Sequence, residues 1–238
     1  MVAGGTGQVY TITISVANGP TTAAINVSDV LPAGVSTNGA ITATGGTLSG
    51  CPASGATSLA GCTVASGTNG PVVITVPVAV AANAANPTVN TATVTGGGDP
   101  TCTNCSGTTT NPVIDAVNDA STGQPGQAGT FNVSTNDKFP VGSTFTQTAT
   151  TCVPAGTMTG AVANFTYPGT TGASCTVTYS VCAPAPNTTI CDTAVLTVTA
   201  GAAPAPTVTK SATPAVLVVG GTGQVYTITI SVANGPTT

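Results

Sequence analysis

The chain has 238 residues, of which only 3% are charged, and its formal net charge is -4. Two lysines are too few to neutralise a run of phosphates or to form a basic patch, so binding to nucleic acids or to an acidic membrane surface is excluded. The sequence contains no His, Glu or Arg. His and Glu are among the commonest general acid–base groups, and the sequence has no recognised nucleophile constellation, so we expect no enzyme acting on an external substrate.

Apolar and polar residues alternate along the first part of the chain. Tyr10, Ile12 and Ile14 share one face of a predicted strand at residues 8–18. Three further strands are predicted at residues 23–31, 72–80 and 88–95. The longest apolar run is interrupted by Thr75 and Pro77 and is too short to span a bilayer. The sequence therefore predicts an all-β fold without a membrane span.

A boundary between two modules is predicted near residues 107–112, where a linker rich in Cys and Thr ends. The second module contains predicted strands at residues 130–134, 161–167, 175–181 and 193–199. A short linker rich in Ala and Pro follows at residues 201–206. The predicted organisation is a first β-sandwich at residues 1–110, a second at 111–200, and a linker with the start of another first module at 201–238.

The 19 residues at positions 4–22 recur without a change at positions 220–238, which gives a period of 216 residues. A strand predicted at residues 207–212 precedes the second copy. A period of this length is long enough to hold one or two domains with cores of their own. The recurrence predicts that the sequence is a window from a tandem array of large modules.

Eight cysteines in a chain without His favour disulfides over zinc. Pairing between neighbours predicts the bridges Cys51–Cys62, Cys102–Cys105, Cys152–Cys175 and Cys182–Cys191. A redox pair and a metal site stay open as alternatives for the close pair at positions 102 and 105. Disulfides indicate an oxidising compartment, so we expect a protein that is secreted or on the bacterial cell surface.

Residues 9–35, together with Asn90 to Val94 and Thr207 to Pro214, resemble the conserved-repeat domain of bacterial surface proteins. The resemblance implies an immunoglobulin-like sandwich of unknown function. The second module is similar to the cadherin-like tandem domains of large bacterial adhesins, on the segments at 116–120, 131–137, 165–167 and 193–199. Both resemblances imply adhesion or scaffolding at the cell surface, and neither implies catalysis.

Three polar residues fall on the apolar faces of strands in the first module and its recurring copy. Period two places Asp29, Asn90 and Lys210 on these faces. An unpaired buried lysine is costly, and desolvation favours its neutral, nucleophilic form. Similar triads in fimbrial sandwich domains join Lys to Asn with loss of ammonia. The pattern therefore suggests an isopeptide bond between Lys210 and Asn90, with Asp29 shuttling protons.

Ordinary structural roles compete with the isopeptide hypothesis. Lys210 could extend to solvent from a strand end, Asp29 could cap a turn, and Asn90 could bond to backbone. Lys210 also belongs to the second copy of the repeated module, whereas Asp29 and Asn90 belong to the first. We expect the three to meet only between chains or between copies outside this sequence.

Oxygen donors near one end of the second module form a candidate calcium site. The candidates are Asp115, Asp119, Asn136 and Asp137. Lys138 follows them and adds a positive charge, and Asx turns explain the same residues. No other cofactor is expected.

The sequence as a whole favours a structural protein. We expect a repeat module of an extracellular filament or coat whose partners are copies of itself. The alternative is a stalk repeat that holds the binding tip of an adhesin away from the cell.

Overall fold

The computed structural model describes residues 1–5, 7–102, 104–203, 205–213, 215–216 and 218–233. Thr6 and residues 234–238 of the recurring segment therefore lie outside the described residues. The prediction of an all-β fold is confirmed, because strands supply nearly all of the regular structure. The chain forms two compact units. The first contains Met1–Val117, Ser134–Phe145 and Ser180–Thr193, and the second contains Asn118–Val133, Thr146–Tyr179 and Ala194–Thr238.

The first unit is a sandwich of two sheets. Its strands are β1 (Gln8–Ile14), β2 (Ile25–Asp29), β3 (Val35–Thr37), β4 (Thr42–Thr44), β5 (Leu48–Ser49), β6 (Cys62–Val64), β7 (Val72–Val80), β8 (Thr88–Gly96) and β9 (Ser106–Asn111). One sheet has the order β1-β7-β3, with β4 also paired to β7. The other has the order β5-β6-β2-β8-β9. β1 and β9 are thus end strands of their sheets.

The core of the first unit lies between these sheets. Every second residue of β7 is buried, as the alternation in the sequence predicts. Residues from β1, β2, β6 and β7 form one apolar cluster that includes Tyr10, Ile14, Val27, Val64 and Ile74. Burial of apolar surface, at about 25 cal/mol per Å², is the main force that holds the sheets together.

Seven more strands lie between residues 119 and 200. They are β10 (Asp119–Gly123), β11 (Ala128–Asn132), β12 (Thr144–Thr150), β13 (Thr157–Thr159), β14 (Val162–Thr166), β15 (Ser174–Cys182) and β16 (Cys191–Ala200). A 3-10 turn occupies Val133–Thr135. One sheet has the order β10-β16-β15-β12 and the other the order β11-β14-β13. β10 runs parallel to β16, whereas β11 and β13 run antiparallel to β14.

The recurring sequence forms a separate two-stranded sheet. β17 (Ala205–Thr213) pairs antiparallel with β18 (Val225–Ala233). Lys210 lies opposite Ile228, Val208 lies opposite Ile230, and Ala212 lies opposite Tyr226. Nearly all residues of this hairpin are exposed.

The long predicted strands are present close to their predicted bounds, and β7 occupies exactly residues 72–80. One local interpretation needs correction. The sequence predicts that a linker ends at residues 107–112, but this stretch forms β9, which pairs with β8 over six residues. Three of its six residues are threonine and it has no apolar face, so alternation of hydrophobicity could not reveal it. The predicted limits of the modules stay a prediction.

Candidate functional site

A cleft of about 520 Å³ opens in the first unit beside β1. Its walls include the inward residues Tyr10, Ile12 and Ile14 of β1, and Asn90 and Ala92 of β8. One edge of β1 pairs with β7. Among the described residues, no strand pairs with the other edge. The cleft therefore combines an unpaired strand edge with an opening into the space between the two sheets.

Asp29 and Asn90 form a buried pair next to this cleft. Asp29 ends β2 and lies opposite Ala92 of β8, so the alternation along β8 places Asn90 on the same inner face. The Asn90 Nδ2 donates a hydrogen bond of 2.9 Å to the Asp29 Oδ2. The two side chains are only 1% and 4% exposed, respectively. Side-chain parity, the alternation of successive side chains between the two faces of a strand, predicts that both residues face inward. The structure brings them into contact.

Burial raises the pKa of the Asp29 carboxyl above its ordinary value, and the hydrogen bond from Asn90 opposes that rise in part. The cause is desolvation, which disfavours the charged form of a carboxyl group. The Asp29 Oδ1 and the Asn90 Oδ1 are both buried without a hydrogen-bond partner among the described residues. The pair thus has two acceptor atoms that the surrounding protein leaves unsatisfied.

Tyr10 adds a third unsatisfied group to this cluster. Its side chain is buried, and its hydroxyl has no hydrogen-bond partner of adequate geometry among the described residues. Burial raises the pKa of the Tyr10 phenol, the neighbouring Thr88 hydroxyl lowers it, and the charge of Asp29 raises it further. Sequence reasoning missed Tyr10, because a tyrosine on the apolar face of a strand usually indicates core packing.

Lys210 is not part of this cluster in the structure. It is exposed in β17, where its Nζ lies 4.3 Å from the centroid of the Tyr226 ring. Tyr226 is the counterpart of Tyr10 in the recurring sequence. The structure therefore brings Asp29 and Asn90 together and places the lysine of the triad over the second copy of the tyrosine. An isopeptide bond stays a prediction.

All eight cysteines are in disulfides, and the bridges are Cys51–Cys62, Cys102–Cys105, Cys152–Cys175 and Cys182–Cys191. These are the pairs that proximity in the sequence predicts. The Cys102–Cys105 bridge also lines the cleft beside β1. Four disulfides fit an extracellular β-sandwich protein, because such bonds persist in oxidising compartments.

The residues proposed for calcium make contacts within the protein. An Asp115 oxygen lies 4.0 Å from the Lys138 Nζ, and Asp137 accepts a hydrogen bond from the Val117 backbone. Asp119 is buried and accepts a hydrogen bond of 3.0 Å from the Tyr179 hydroxyl. Within the described part of the chain, no group of three or more His, Cys, Asp or Glu side chains is placed to hold a metal ion. Calcium binding stays a prediction.

The described residues include no helix that is long and apolar enough to cross a bilayer. No protein-family model matches the chain, and no curated protein matches it either. The two resemblances suggested by the sequence are therefore supported only at the level of an all-β, sandwich-like fold.

Two solved structures share weak likeness with the chain. One is an endo-fucoidan hydrolase of glycoside hydrolase family 107, with 12% identity and a TM-score of 0.25 over 84% of this chain and 27% of that one. The other is described as "Putative membrane anchored protein from Corynebacterium diphtheriae", with 12% identity and a TM-score of 0.24 over 88% of this chain and 55% of that one. The chain thus spans 27% of the length of the first structure and 55% of the length of the second. Likeness at this level carries no argument about function.

Proposed function

We propose that this chain is a structural repeat module of a secreted or cell-surface bacterial filament or coat. In this proposal the module assembles with copies of itself by strand addition, in which a β17 strand pairs with the free edge of a β1 strand. The two strands belong either to successive repeats of one polypeptide or to neighbouring chains. The Asp29–Asn90 cluster lies inside the module that this addition would complete.

One observation carries the proposal: the same strand sequence occurs twice with different neighbours. β1 has an unpaired edge beside the cleft, whereas its copy β18 is paired along its length with β17. Because the two sequences are identical, the backbone pairing seen between β17 and β18 is equally available to β1. The partner that fits the free edge of β1 is therefore a β17 segment.

Burial supplies a driving force for this addition. In the hairpin, Tyr226, Ile228 and Ile230 are between 57% and 66% exposed, and Val208 of β17 is 65% exposed. On β1, Tyr10 and Ile14 are already buried and Ile12 is partly buried, so a docked β17 would cover chiefly its own apolar surface, above all Val208. The low charge of the chain opposes such association only weakly.

Paired substitutions on the two faces of β17 test strand addition. Val208 lies on the face that would enter the cleft, and Thr209 lies on the opposite face. We expect Val208→Asp to abolish the growth of assemblies with concentration in light scattering, because it would bury an unpaired charge. Thr209→Asp is the matched control and should leave assembly intact. Equal behaviour of the two variants, or a dispersed monomer of the unaltered chain at all concentrations, contradicts the proposal.

Electron microscopy of the native material then separates a filament or coat from an adhesin stalk. Lateral or helical packing of the modules is expected for a filament or coat. Isolated strings that end in a different domain would assign the same module to a stalk.

A further inference from the structure

We propose that Lys210 forms an isopeptide bond with Asn90 when β17 of a second copy of this chain occupies the cleft beside β1, and that Asp29 carries the proton. This inference rests on the proposed function, because strand addition is the step that delivers the amine. It adds a covalent bond to what would otherwise be a reversible strand contact.

The register of the hairpin says where the lysine would enter. Lys210 lies opposite Ile228, whose counterpart on β1 is Ile12. Residues directly opposite each other in an antiparallel pair project to the same face of the sheet. Ile12 lines the cleft, so Lys210 of a docked strand would project into the cleft as well.

The position of the amine follows from the neighbouring tyrosine. In the hairpin, the Lys210 Nζ rests over the ring of Tyr226 at 4.3 Å from its centroid. Transferred to β1, this arrangement places the amine over Tyr10. Tyr10 lines the same cleft as Asn90, and its phenol is close enough to Asp29 for the carboxylate charge to raise its pKa.

Among the described residues, buried side-chain atoms without a hydrogen-bond partner are concentrated around Tyr10, Asp29 and Asn90. The buried side-chain atoms without a hydrogen-bond partner among the described residues are the Tyr10 hydroxyl, the Asp29 Oδ1, the Asn90 Oδ1, the Ser143 Oγ and the Gln147 Oε1. Three of the five belong to the Tyr10, Asp29 and Asn90 cluster. A lysine amine carries donor hydrogens in both its charged and its neutral form, so it can donate hydrogen bonds to these unsatisfied oxygens.

The reaction balances without an added oxidant or co-reactant. The neutral Lys210 Nζ attacks the Asn90 Cγ, and a new carbon–nitrogen bond forms. A proton moves from the Nζ through the Asp29 carboxyl to the Asn90 Nδ2, and the bond between Cγ and Nδ2 breaks. Ammonia leaves, and Asp29 returns to its starting state.

The surroundings of Asp29, Asn90 and the docked Lys210 suit the roles of proton carrier, amide substrate and nucleophile. A proton carrier must hold a proton near neutral pH, and burial shifts the Asp29 carboxyl in that direction. Desolvation in the closed cleft favours the neutral, nucleophilic form of the lysine. The contact of 2.9 Å between Asp29 and the Asn90 amide nitrogen places the acid next to the leaving group.

A labelled peptide provides a direct test. The recipient is the full chain with Lys210→Ala, which keeps the cleft but has no lysine in its own β17. The probe is a fluorescent peptide with the sequence of Ala205–Thr213. We expect this peptide to bind and then to remain attached under denaturing conditions, with an intact mass lower than the sum of the two by one ammonia. Fragmentation should locate the bond between Lys210 of the peptide and Asn90 of the chain.

Two variants separate chemistry from binding. A peptide with Lys210→Arg should bind without attaching. A recipient that also carries Asp29→Asn should keep its fold and bind the peptide, but attachment should be lost. Asn26→Ala in the recipient is the control, because Asn26 is exposed on the outer face of β2, and attachment should persist.

Each result decides between the two proposals. Binding of the peptide without attachment overturns the isopeptide bond and leaves strand addition standing. Absence of binding, measured by fluorescence anisotropy, overturns both. Attachment to Asp29 with loss of water, instead of attachment to Asn90 with loss of ammonia, also overturns the assignment made here.

Discussion

The segment at residues 7–17 recurs at 223–233, and its two copies share their local structure but differ in their surroundings. Gln8 accepts a hydrogen bond from the Val2 amide and donates one to the Val2 carbonyl. Gln224 makes the same two bonds with Val218. Each copy then continues as a strand. We call these two hydrogen bonds, between the glutamine side chain and the valine backbone, the glutamine clamp. The local sequence is thus sufficient to specify the glutamine clamp and the strand after it.

Burial is where the two copies diverge. Tyr10 is 4% exposed and Tyr226 is 57% exposed, while Ile14 is 7% exposed and Ile230 is 66% exposed. β1 pairs with β7 and packs into a core, whereas β18, among the described residues, pairs only with β17. The alternating pattern therefore makes a strand able to be buried, and the neighbouring strands decide whether it is buried.

The largest expected effect comes from truncating the tyrosine in each copy. Tyr10→Ala should lower the free energy of unfolding of the first unit by about 3 to 5 kcal/mol, because it removes a large buried aromatic side chain. Tyr226→Ala should change stability by less than about 0.5 kcal/mol, since the residue is exposed. Urea unfolding followed by near-ultraviolet circular dichroism measures both. Similar losses in the two variants would mean that β18 is as buried as β1.

The disulfide in the core around β1 should have the next largest effect. Cys62 is fully buried in the apolar cluster that contains Tyr10, and it is bonded to Cys51. Replacing both cysteines by Ser should lower the free energy of unfolding by about 2 to 4 kcal/mol. Hydrogen exchange in the β17–β18 hairpin should not change.

Thiol labelling of the denatured chain supplies the control for this experiment. The unaltered protein should show no reactive thiol, and the double variant should show none either. A free thiol in the double variant would mean that at least one of the remaining bridges has not formed, and one in the unaltered protein would contradict the full oxidation seen in the structure.

A third prediction concerns the buried carboxyl that β1 faces and β18 does not. The pKa of Asp29 is raised in the folded state above its ordinary value of 3.8, so folding is favoured when the carboxyl is protonated. Its contribution to stability is therefore fully present below 3.8 and is lost as the pH rises through the raised pKa of the folded state. Asp29→Asn removes the titration and should stabilise the first unit at pH 7 by about 1 to 3 kcal/mol.

The pH dependence of that difference is the sharper test. The gain from Asp29→Asn should vanish at a pH below 3.8, where the folded and the unfolded chain both hold the proton. Asn26→Ala is the control, since Asn26 is an exposed residue of the same strand that does not titrate, and it should show no such trend. If Asp29→Asn instead destabilised the unit more at pH 7 than at low pH, the carboxylate would have to be favourably paired.

Sequence reasoning reached the parts of this fold that depend on local pattern. Alternation located β7 and β8, proximity located the disulfide pairs, and parity placed Asp29 and Asn90 on inner faces. Parity could not give their contact, because it depends on β2 and β8 being neighbours although they are far apart in sequence.

Features that depend on which strands pair with each other could not be predicted from the sequence. The parallel alignment of β10 with β16 joins strands that no turn connects. β9 has no apolar face and is a strand only because it lies beside β8. Parity also gave Lys210 an inner face, but that face exists only where a second sheet covers it, and β17 is exposed.

The smallest expected effect concerns the glutamine clamp, which the two copies share. Gln8→Ala and Gln224→Ala should each remove hydrogen bonds worth about 0.5 to 1.5 kcal/mol apiece. Exchange of the Val2 amide in the first variant and of the Val218 amide in the second should therefore accelerate by a factor of about two to ten, as NMR can measure. Gln127→Ala, at an exposed turn position, should alter neither amide. A change at Val2 without one at Val218 would show that the clamp depends on the core behind β1, and that the shared sequence alone does not specify it.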